Sequence, residues 1–135
     1  MQQSMAVAGL YAGIFGLIGL WLGVVVAQWR SRTRIAIGDG GNPDLTRAMR
    51  GQANFVENVP IALILFVTMA LMGAPAIAIH VLGATLVVAR IVHGLHFAAP
   101  GRPRWQRAAG ASLTILVLAA ASLGVLGHAV ATMVR

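Results

Sequence analysis

The chain has 135 residues, of which 59% are hydrophobic and only 10% are charged. Soluble domains carry about 25% charged residues, so the composition excludes an ordinary soluble protein and predicts one integral membrane domain over residues 1–135. The net charge of +7 comes from arginines that flank hydrophobic runs, which argues against nucleic acid as a partner, and the absence of cysteine excludes disulfides, cysteine metal sites and a thiol nucleophile.

The first predicted helix begins near the N-terminus. Residues 5–29 carry no charge, and at about 1.5 Å per residue a run of this length crosses a hydrocarbon core of about 30 Å. The N-terminal residues lack the positively charged segment of a signal peptide, so we expect this helix to be retained as a membrane span.

The middle of the chain must hold two helices that extend into charged sequence. Residues 58–89 carry no charge, which makes a run too long for one spanning helix and too short for two. The sequence MGAP at residues 72–75 contains glycine and proline, both of which interrupt helices, so a tight turn is predicted there. The segment 47–58 is therefore predicted to be helical, with Asn42 or Asp44 as the N-cap of its helix.

The arginines set the predicted topology. A further uncharged run over residues 108–131 completes four spans. Most arginines lie in or beside the first and third connections, whereas the second connection has none. The positive-inside rule then places these two connections in the cytoplasm and both termini on the opposite side. The predicted fold is an all-α integral membrane bundle with four transmembrane helices, at about 5–30, 45–72, 76–97 and 105–131.

The second predicted helix carries a polar face. With an advance of about 100° per residue, five polar side chains fall within an arc of roughly 100°, whereas Gln52 lies near 140° from Arg47, on a different side. The members of this face are Arg47, Arg50, Asn54, Glu57 and Asn58.

A matching stripe follows on the third predicted helix, where Arg90, His93 and Phe97 have i, i+3, i+7 spacing. Charges at membrane depth are costly and normally face the bundle or a neighbouring subunit, so the two stripes predict one pocket. Its composition favours an anionic ligand that also has a cationic or amide group for Glu57 and Asn54. A structural interpretation stays open, in which the arginines neutralise Glu57 and hold the helices together.

His93 and His96 also have i, i+3 spacing, but no carboxylate lies near them in the sequence, so no metal site is predicted.

Two segments resemble the MAPEG family, the membrane-associated proteins in eicosanoid and glutathione metabolism. The sequence RAMRGQANFVENVP, residues 47–60, is similar to a family signature that reads roughly Arg-x-x-Arg-Ala-(His or Gln)-x-Asn-x-x-Glu with a following Pro. Gly51 replaces the signature's Ala. The sequence ARIVHGLHF, residues 89–97, is similar to the family's third-helix segment, with Phe97 in place of the usual Tyr. The positions that match are Arg47, Arg50, Gln52, Asn54, Glu57, Pro60, Arg90 and His93.

The resemblance implies a left-handed four-helix bundle that assembles as a homotrimer, with glutathione between adjacent subunits near the cytoplasmic side. It implies that Arg50 binds a carboxylate of glutathione and that Glu57 binds the γ-glutamyl amino group, with Asn54 on the peptide backbone. Arg30 and His93 would complete the site. The predicted glutathione-binding residues are Arg30, Arg47, Arg50, Gln52, Asn54, Glu57, Asn58, Arg90, His93 and Phe97.

The resemblance also implies an arginine at the start of the fourth helix that stabilises the glutathione thiolate. Arg104 and Arg107 are both candidates, and the sequence leaves the choice between them open. Arginine does not deprotonate, so its role would be electrostatic. The thiolate would then attack a hydrophobic electrophile or reduce a peroxide.

The leading hypothesis is therefore a membrane-bound glutathione transferase, with or without peroxidase activity, in the inner membrane of a bacterium. The short loop IAIGDGGNPDL, residues 35–45, is similar to that of short bacterial members of the family. Two alternatives are a non-catalytic membrane protein of the same fold that binds lipid or glutathione, and a small four-helix transporter.

Overall fold

The computed structural model describes residues 1–134 and contains four long helices over that range. Each of the four is long and apolar enough to cross a membrane. The prediction of an all-α membrane protein with four spans is confirmed, and the helices differ from the predicted bounds by no more than a few residues. They are α1 (Gln2–Thr33), α2 (Pro43–Leu71), α3 (Ala76–Ala98) and α4 (Arg104–Met133).

The helices pack so that α2 and α3 form the centre of the bundle. α1 packs against both of them, and α4 packs against the same two helices. Phe15 of α1, Phe66 of α2 and Leu86 of α3 are almost completely buried in the resulting core. Because lipid is as apolar as these side chains, close packing rather than the hydrophobic effect must hold such helices together.

Small residues allow the closest helix contacts near the polar residues. A Cβ atom added to Gly110 of α4 would lie 2.5 Å from Cβ of His93 and 2.6 Å from the carbonyl oxygen of Ala89, both on α3. A Cβ atom added to Gly51 of α2 would lie 2.5 Å from Cβ of Phe97. These two glycines therefore bring α2 and α4 close to the polar stripe of α3.

The connections agree with the sequence signals. Asn42 is the N-cap of α2, and its side-chain oxygen accepts hydrogen bonds from the backbone N–H groups of Asp44 and Leu45, at 3.1 and 3.0 Å. Of the two candidate caps, Asn42 is thus the one that serves. The α2–α3 connection is the predicted turn, and Gly73 adopts a φ of 83° there.

The α1–α2 and α3–α4 connections lie at the same end of the bundle, which we call the basic end. It is defined by the arginines that the two connections and the adjoining helix turns carry: Arg30, Arg32, Arg34, Arg47, Arg50, Arg102, Arg104 and Arg107. The α2–α3 turn at the other end carries no charged residue. The segment 47–58 is helical throughout, so its polar side chains have a fixed angular position near the basic end.

Candidate functional site

An open cleft of about 630 Å³ lies between α2, α3 and the first turns of α4. We call it the polar cleft. This volume falls within the range of about 300–1,000 Å³ that is usual for small-molecule sites. α2 contributes Arg50 and Asn54, α3 contributes His93 and Phe97, and α4 contributes Arg104, Arg107, Ala108, Ala111, Ser112 and Ile115.

The charge in the polar cleft is positive. Three arginines line it, and none of the lining residues is acidic. Arg50, Arg104 and Arg107 are all exposed on the protomer, so their guanidinium groups are available to a ligand. Arginine presents several N–H donors in a planar fork that matches carboxylates. The cleft is therefore suited to an anion with more than one carboxylate.

Arg90 of α3 is completely buried and contacts two residues that line the polar cleft, Asn54 and His93. Its Nη1 donates hydrogen bonds to Oδ1 of Asn54, at 3.0 Å, and to Oγ1 of Thr114, at 3.4 Å. Its guanidinium also stacks near the ring of Phe55, with Cζ 5.7 Å from the ring centroid. Arg90 thus connects α3 to both α2 and α4.

His93 is the third partner of Arg90. Its Nδ1 lies 3.2 Å from Nη2 of Arg90. Because a guanidinium only donates hydrogen bonds, Nδ1 must be the acceptor, which places the ring proton on Nε2. The ring of His93 also packs against Phe97, with centroids 4.9 Å apart. This contact orients the aromatic wall of the cleft.

A small cavity of about 70 Å³ lies beside Arg90, between α2 and α4. Asn54, Asn58, Arg90 and Thr114 supply its polar lining. Nε of Arg90 is buried and has no hydrogen-bond partner among residues 1–134. A cavity of this size and polarity can hold ordered water, which would satisfy that donor.

Comparison with known proteins identifies the family. The model of the MAPEG family matches residues 8–127. The chain belongs to the MAPEG family. It is 34% identical over 119 residues to the inner membrane protein YecN of Escherichia coli strain K12, covering 84% of this chain and 88% of that protein. The same values hold for YecN of Escherichia coli O6:H1 strain CFT073.

In this MAPEG protein, the structure brings most of the predicted site residues together. Six of them line the polar cleft, and Arg90 and Asn58 line the small cavity, which shares Asn54 with it. Both candidate catalytic arginines line the cleft, so the choice between them stays open. The predicted residues that line the polar cleft are Arg50, Asn54, His93, Phe97, Arg104 and Arg107.

Four predicted residues of the MAPEG protein lie elsewhere on the protomer. Arg30 donates hydrogen bonds to the carbonyl oxygens of Ile35, Ala36 and Gly38, at 2.9–3.2 Å, and so holds the α1–α2 loop. Gln52 approaches α1 at Gly23, on the side of α2 away from the polar face. Arg47 lines a separate cleft at the basic end. Glu57 is exposed and is not among the residues that line the polar cleft.

Apart from Arg104 and Arg107, the α4 residues that line the cleft were not predicted from the sequence. Ala108, Ala111 and Ser112 share one face of α4 by their i, i+3, i+4 spacing, and they continue the line of Arg104 and Arg107. Thr114 of α4 lines the small cavity and accepts a hydrogen bond from Arg90. The sequence signal that could have predicted these residues is a run of small side chains on the same helix face as Arg104 and Arg107.

Proposed function

We propose that this MAPEG protein is a membrane-bound glutathione transferase that acts on hydrophobic electrophiles. The observation that carries the proposal is the polar cleft, in which three arginines converge with Asn54 and His93 at the basic end. We further propose that the protein lies in a bacterial inner membrane with its basic end in the cytoplasm, where the positive-inside rule puts an arginine-rich end.

Glutathione matches the composition of the cleft. It carries two carboxylates, one ammonium group and one thiol. Arg50 would bind one carboxylate through paired hydrogen bonds. The carboxamide of Asn54 has its oxygen committed to Arg90, so its NH₂ group is the part left to donate to a ligand carbonyl. Arg90 thereby fixes which end of the amide faces the cleft.

The thiol would be activated by positive charge. A free thiol has a pKa of about 8.5, so only a few per cent is thiolate near pH 7. A guanidinium next to the sulfur favours the thiolate, and Arg104 and Arg107 both line the cleft at the α4 wall. The thiol proton leaves to water, the sulfur forms a bond to the electrophilic carbon, and the leaving group departs with its electron pair.

Two features provide for the hydrophobic substrate. Ala108, Ala111 and Ile115 line the α4 side of the cleft, and Ile115 is 63% exposed on the protomer. An electrophile dissolved in the lipid could therefore reach the cleft along α4 without crossing water. The apolar wall would hold the hydrophobic electrophile and the arginines would hold the thiolate, so that the electrophilic carbon and the sulfur lie close together, as the reaction requires.

We also propose that the site is completed in a homotrimer. Glu57 lies three residues beyond Asn54 on α2 and is exposed on the protomer surface. A carboxylate at membrane depth normally faces a partner. A ligand bound between subunits would bring its ammonium group to this carboxylate.

The absorbance of the thiolate tests the proposal. Glutathione added to the purified protein is expected to give the ultraviolet absorbance of a thiolate near neutral pH. Arg104→Gln or Arg107→Gln should remove it, which would also identify the activating arginine. Arg32→Gln is the control, because Arg32 lies at the basic end but outside the cleft. Glutathione binding without thiolate absorbance in the wild type would contradict a transferase and favour the non-catalytic binder.

A further inference from the structure

A second cleft of about 470 Å³ opens at the basic end, and we call it the arginine cleft. It combines side chains from α2, from the end of α3, from the α3–α4 loop and from the start of α4. Four of its lining residues are arginines, and none is acidic. The lining residues are Arg47, His96, Gly101, Arg102, Arg104 and Arg107.

The walls of the arginine cleft are held by local structure. A ring nitrogen of His96, Nδ1, lies 3.0 Å from the carbonyl oxygen of Pro103. As the donor, this nitrogen ties the end of α3 to the residue that precedes α4. Gly101 adopts a φ of 74°, a conformation that a residue with a side chain rarely adopts. The hydrogen bond and the turn at Gly101 therefore hold the loop that carries Arg102 between α3 and α4.

The charge of the arginine cleft is not balanced by the protein. The chain has three acidic residues, Asp39, Asp44 and Glu57, and none of them lines the cleft. Four guanidinium groups around one opening repel each other, and a bound anion would relieve that repulsion. A carboxylate offers two oxygens to arginine forks. A phosphate monoester offers three terminal oxygens, and a phosphodiester offers two terminal and two ester oxygens, so a phosphate ester can accept hydrogen bonds from more than one fork.

The position of the arginine cleft suits the surface of a membrane. Trp105 follows Arg104 directly and is 61% exposed. Exposed tryptophans of membrane proteins lie at the level of the lipid headgroups. Basic residues at this level are attracted to anionic lipids. The cleft is therefore expected to open where lipid phosphates are concentrated.

We propose that the arginine cleft binds a phosphate ester, which is shared among the guanidinium groups of Arg47, Arg102, Arg104 and Arg107. An anionic phospholipid headgroup and a soluble phosphate ester have this chemistry in common. The arginine cleft adjoins the polar cleft and shares Arg104 and Arg107 with it, whereas Arg47, Arg102 and His96 line the arginine cleft alone.

Thermal unfolding of the delipidated protein in neutral detergent tests the proposal. Three probes are added separately: phosphatidylglycerol, phosphatidylcholine and glycerol phosphate. Phosphatidylcholine has the same phosphodiester, but its choline group cancels the charge. We expect phosphatidylglycerol to raise the unfolding midpoint more than phosphatidylcholine. A midpoint raised by glycerol phosphate as well would show that soluble phosphate esters also bind.

Two double variants with equal loss of charge decide whether the cleft is the site. Arg47→Gln with Arg102→Gln changes two residues of the cleft, and Arg32→Gln with Arg34→Gln changes two arginines of the basic end outside it. The first pair should lose at least half of the midpoint shift, and the second pair should keep it. Since Arg102 lies in an exposed loop, Arg102→Gln alone serves if the first pair does not fold. Equal losses in both pairs, or no shift with either phosphatidylglycerol or glycerol phosphate, would overturn the proposal.

Discussion

Arg90 donates a hydrogen bond of 3.0 Å to the side-chain oxygen of Asn54 and so joins α3 to α2 at a residue that lines the polar cleft. The other hydrogen-bond partners of the Arg90 guanidinium are Thr114 and His93. None of these partners is acidic. A completely buried cation is therefore held by neutral groups from three helices, and the same contacts orient Asn54 and His93 toward the cleft.

The first prediction concerns the charge of Arg90. Arg90→Lys keeps a buried charge but loses the fork that reaches three partners, whereas Arg90→Met removes the charge together with its desolvation cost. Replacing buried charged groups by apolar side chains of similar volume is often neutral or stabilising by about 1–4 kcal/mol. We expect the lysine variant to be less stable than the methionine variant by about 2 kcal/mol, measured by thermal unfolding in detergent. If Arg90→Met were less stable than Arg90→Lys, the charge at position 90 would have to be compensated by an anion, which would contradict this account.

The second prediction concerns the contact between α3 and α4 at Gly110. Gly110→Ala would force a Cβ atom against the backbone of α3 at His93 and Ala89. Overpacking of this kind costs about 1–3 kcal/mol, so the unfolding temperature should fall. Because the shift would move α4 away from α3, glutathione binding should weaken as well.

Gly124 provides the matched control for Gly110. It lies on the same helix, and a Cβ atom added there meets nothing within 4 Å. Gly124→Ala should be neutral or should stabilise the helix by about 0.5–1 kcal/mol. Equal effects of the two substitutions on the unfolding temperature would show that the close packing at Gly110 is not important.

The third prediction concerns pH and the α1–α2 loop. The carboxylate of Asp39 accepts hydrogen bonds from the backbone N–H of Gly41, at 3.0 Å, and from the hydroxyl of Thr46, at 2.9 Å. These hydrogen bonds, the one from Gly41 first, hold the pKa of Asp39 below its usual range. A lowered pKa means that the folded state favours the ionised form. The resulting stabilisation is complete above the usual aspartate pKa of about 3.9 and is lost as the pH falls through the lowered value.

Asp39→Asn reports this effect. The advantage of the wild type over the variant in unfolding temperature should be constant near neutral pH and should shrink in the acid range below about pH 4. Asn42→Ser serves as a control that keeps an N-cap acceptor at the start of α2 and adds no titrating group. An advantage that persists unchanged into strong acid would show that the hydrogen bonds of Asp39 do not depend on its ionisation.

Length and hydropathy were sufficient to predict the four helices. The uncharged run over residues 58–89 could fit two membrane spans only if each helix continued into charged sequence, and this placed residues 47–58 in α2. The sequence left two candidates for the N-cap of α2, Asn42 and Asp44. The choice between them depends on which residue is the last in the extended conformation before the helix begins. Asn42 has that conformation, with φ −79° and ψ 117°.

The angular arithmetic predicted part of the site. It separated Gln52, which faces α1, from Arg50 and Asn54, which face the cleft. The arithmetic could not show that Glu57 is exposed. Glu57 lies at the edge of the polar arc, and which part of that arc is covered depends on the position of α4, the third wall of the cleft. The position of α4 depends on packing at Gly110, which no helical periodicity reveals. Arg30 is at the predicted end of α1, but its hydrogen bonds to the loop carbonyls depend on the loop conformation.

Two departures from the family signature are in contact in the structure. Gly51 replaces the alanine of the signature and packs against Phe97, which replaces its tyrosine. The glycine allows the phenylalanine to approach α2 closely, so the two changes are physically linked. Each looks independent in the sequence, since the residues lie on different helices.

Calorimetric titration of glutathione into the purified protein tests the central claim most directly. Arg50→Gln removes one guanidinium from the polar cleft, and Arg32→Gln removes one from the basic end outside it. We expect the wild type and Arg32→Gln to bind glutathione at millimolar concentration or below, and Arg50→Gln to bind at least about tenfold more weakly, a loss of about 1.4 kcal/mol. No binding heat from the wild type at millimolar glutathione, or equal binding by all three proteins, would contradict the assignment of the polar cleft.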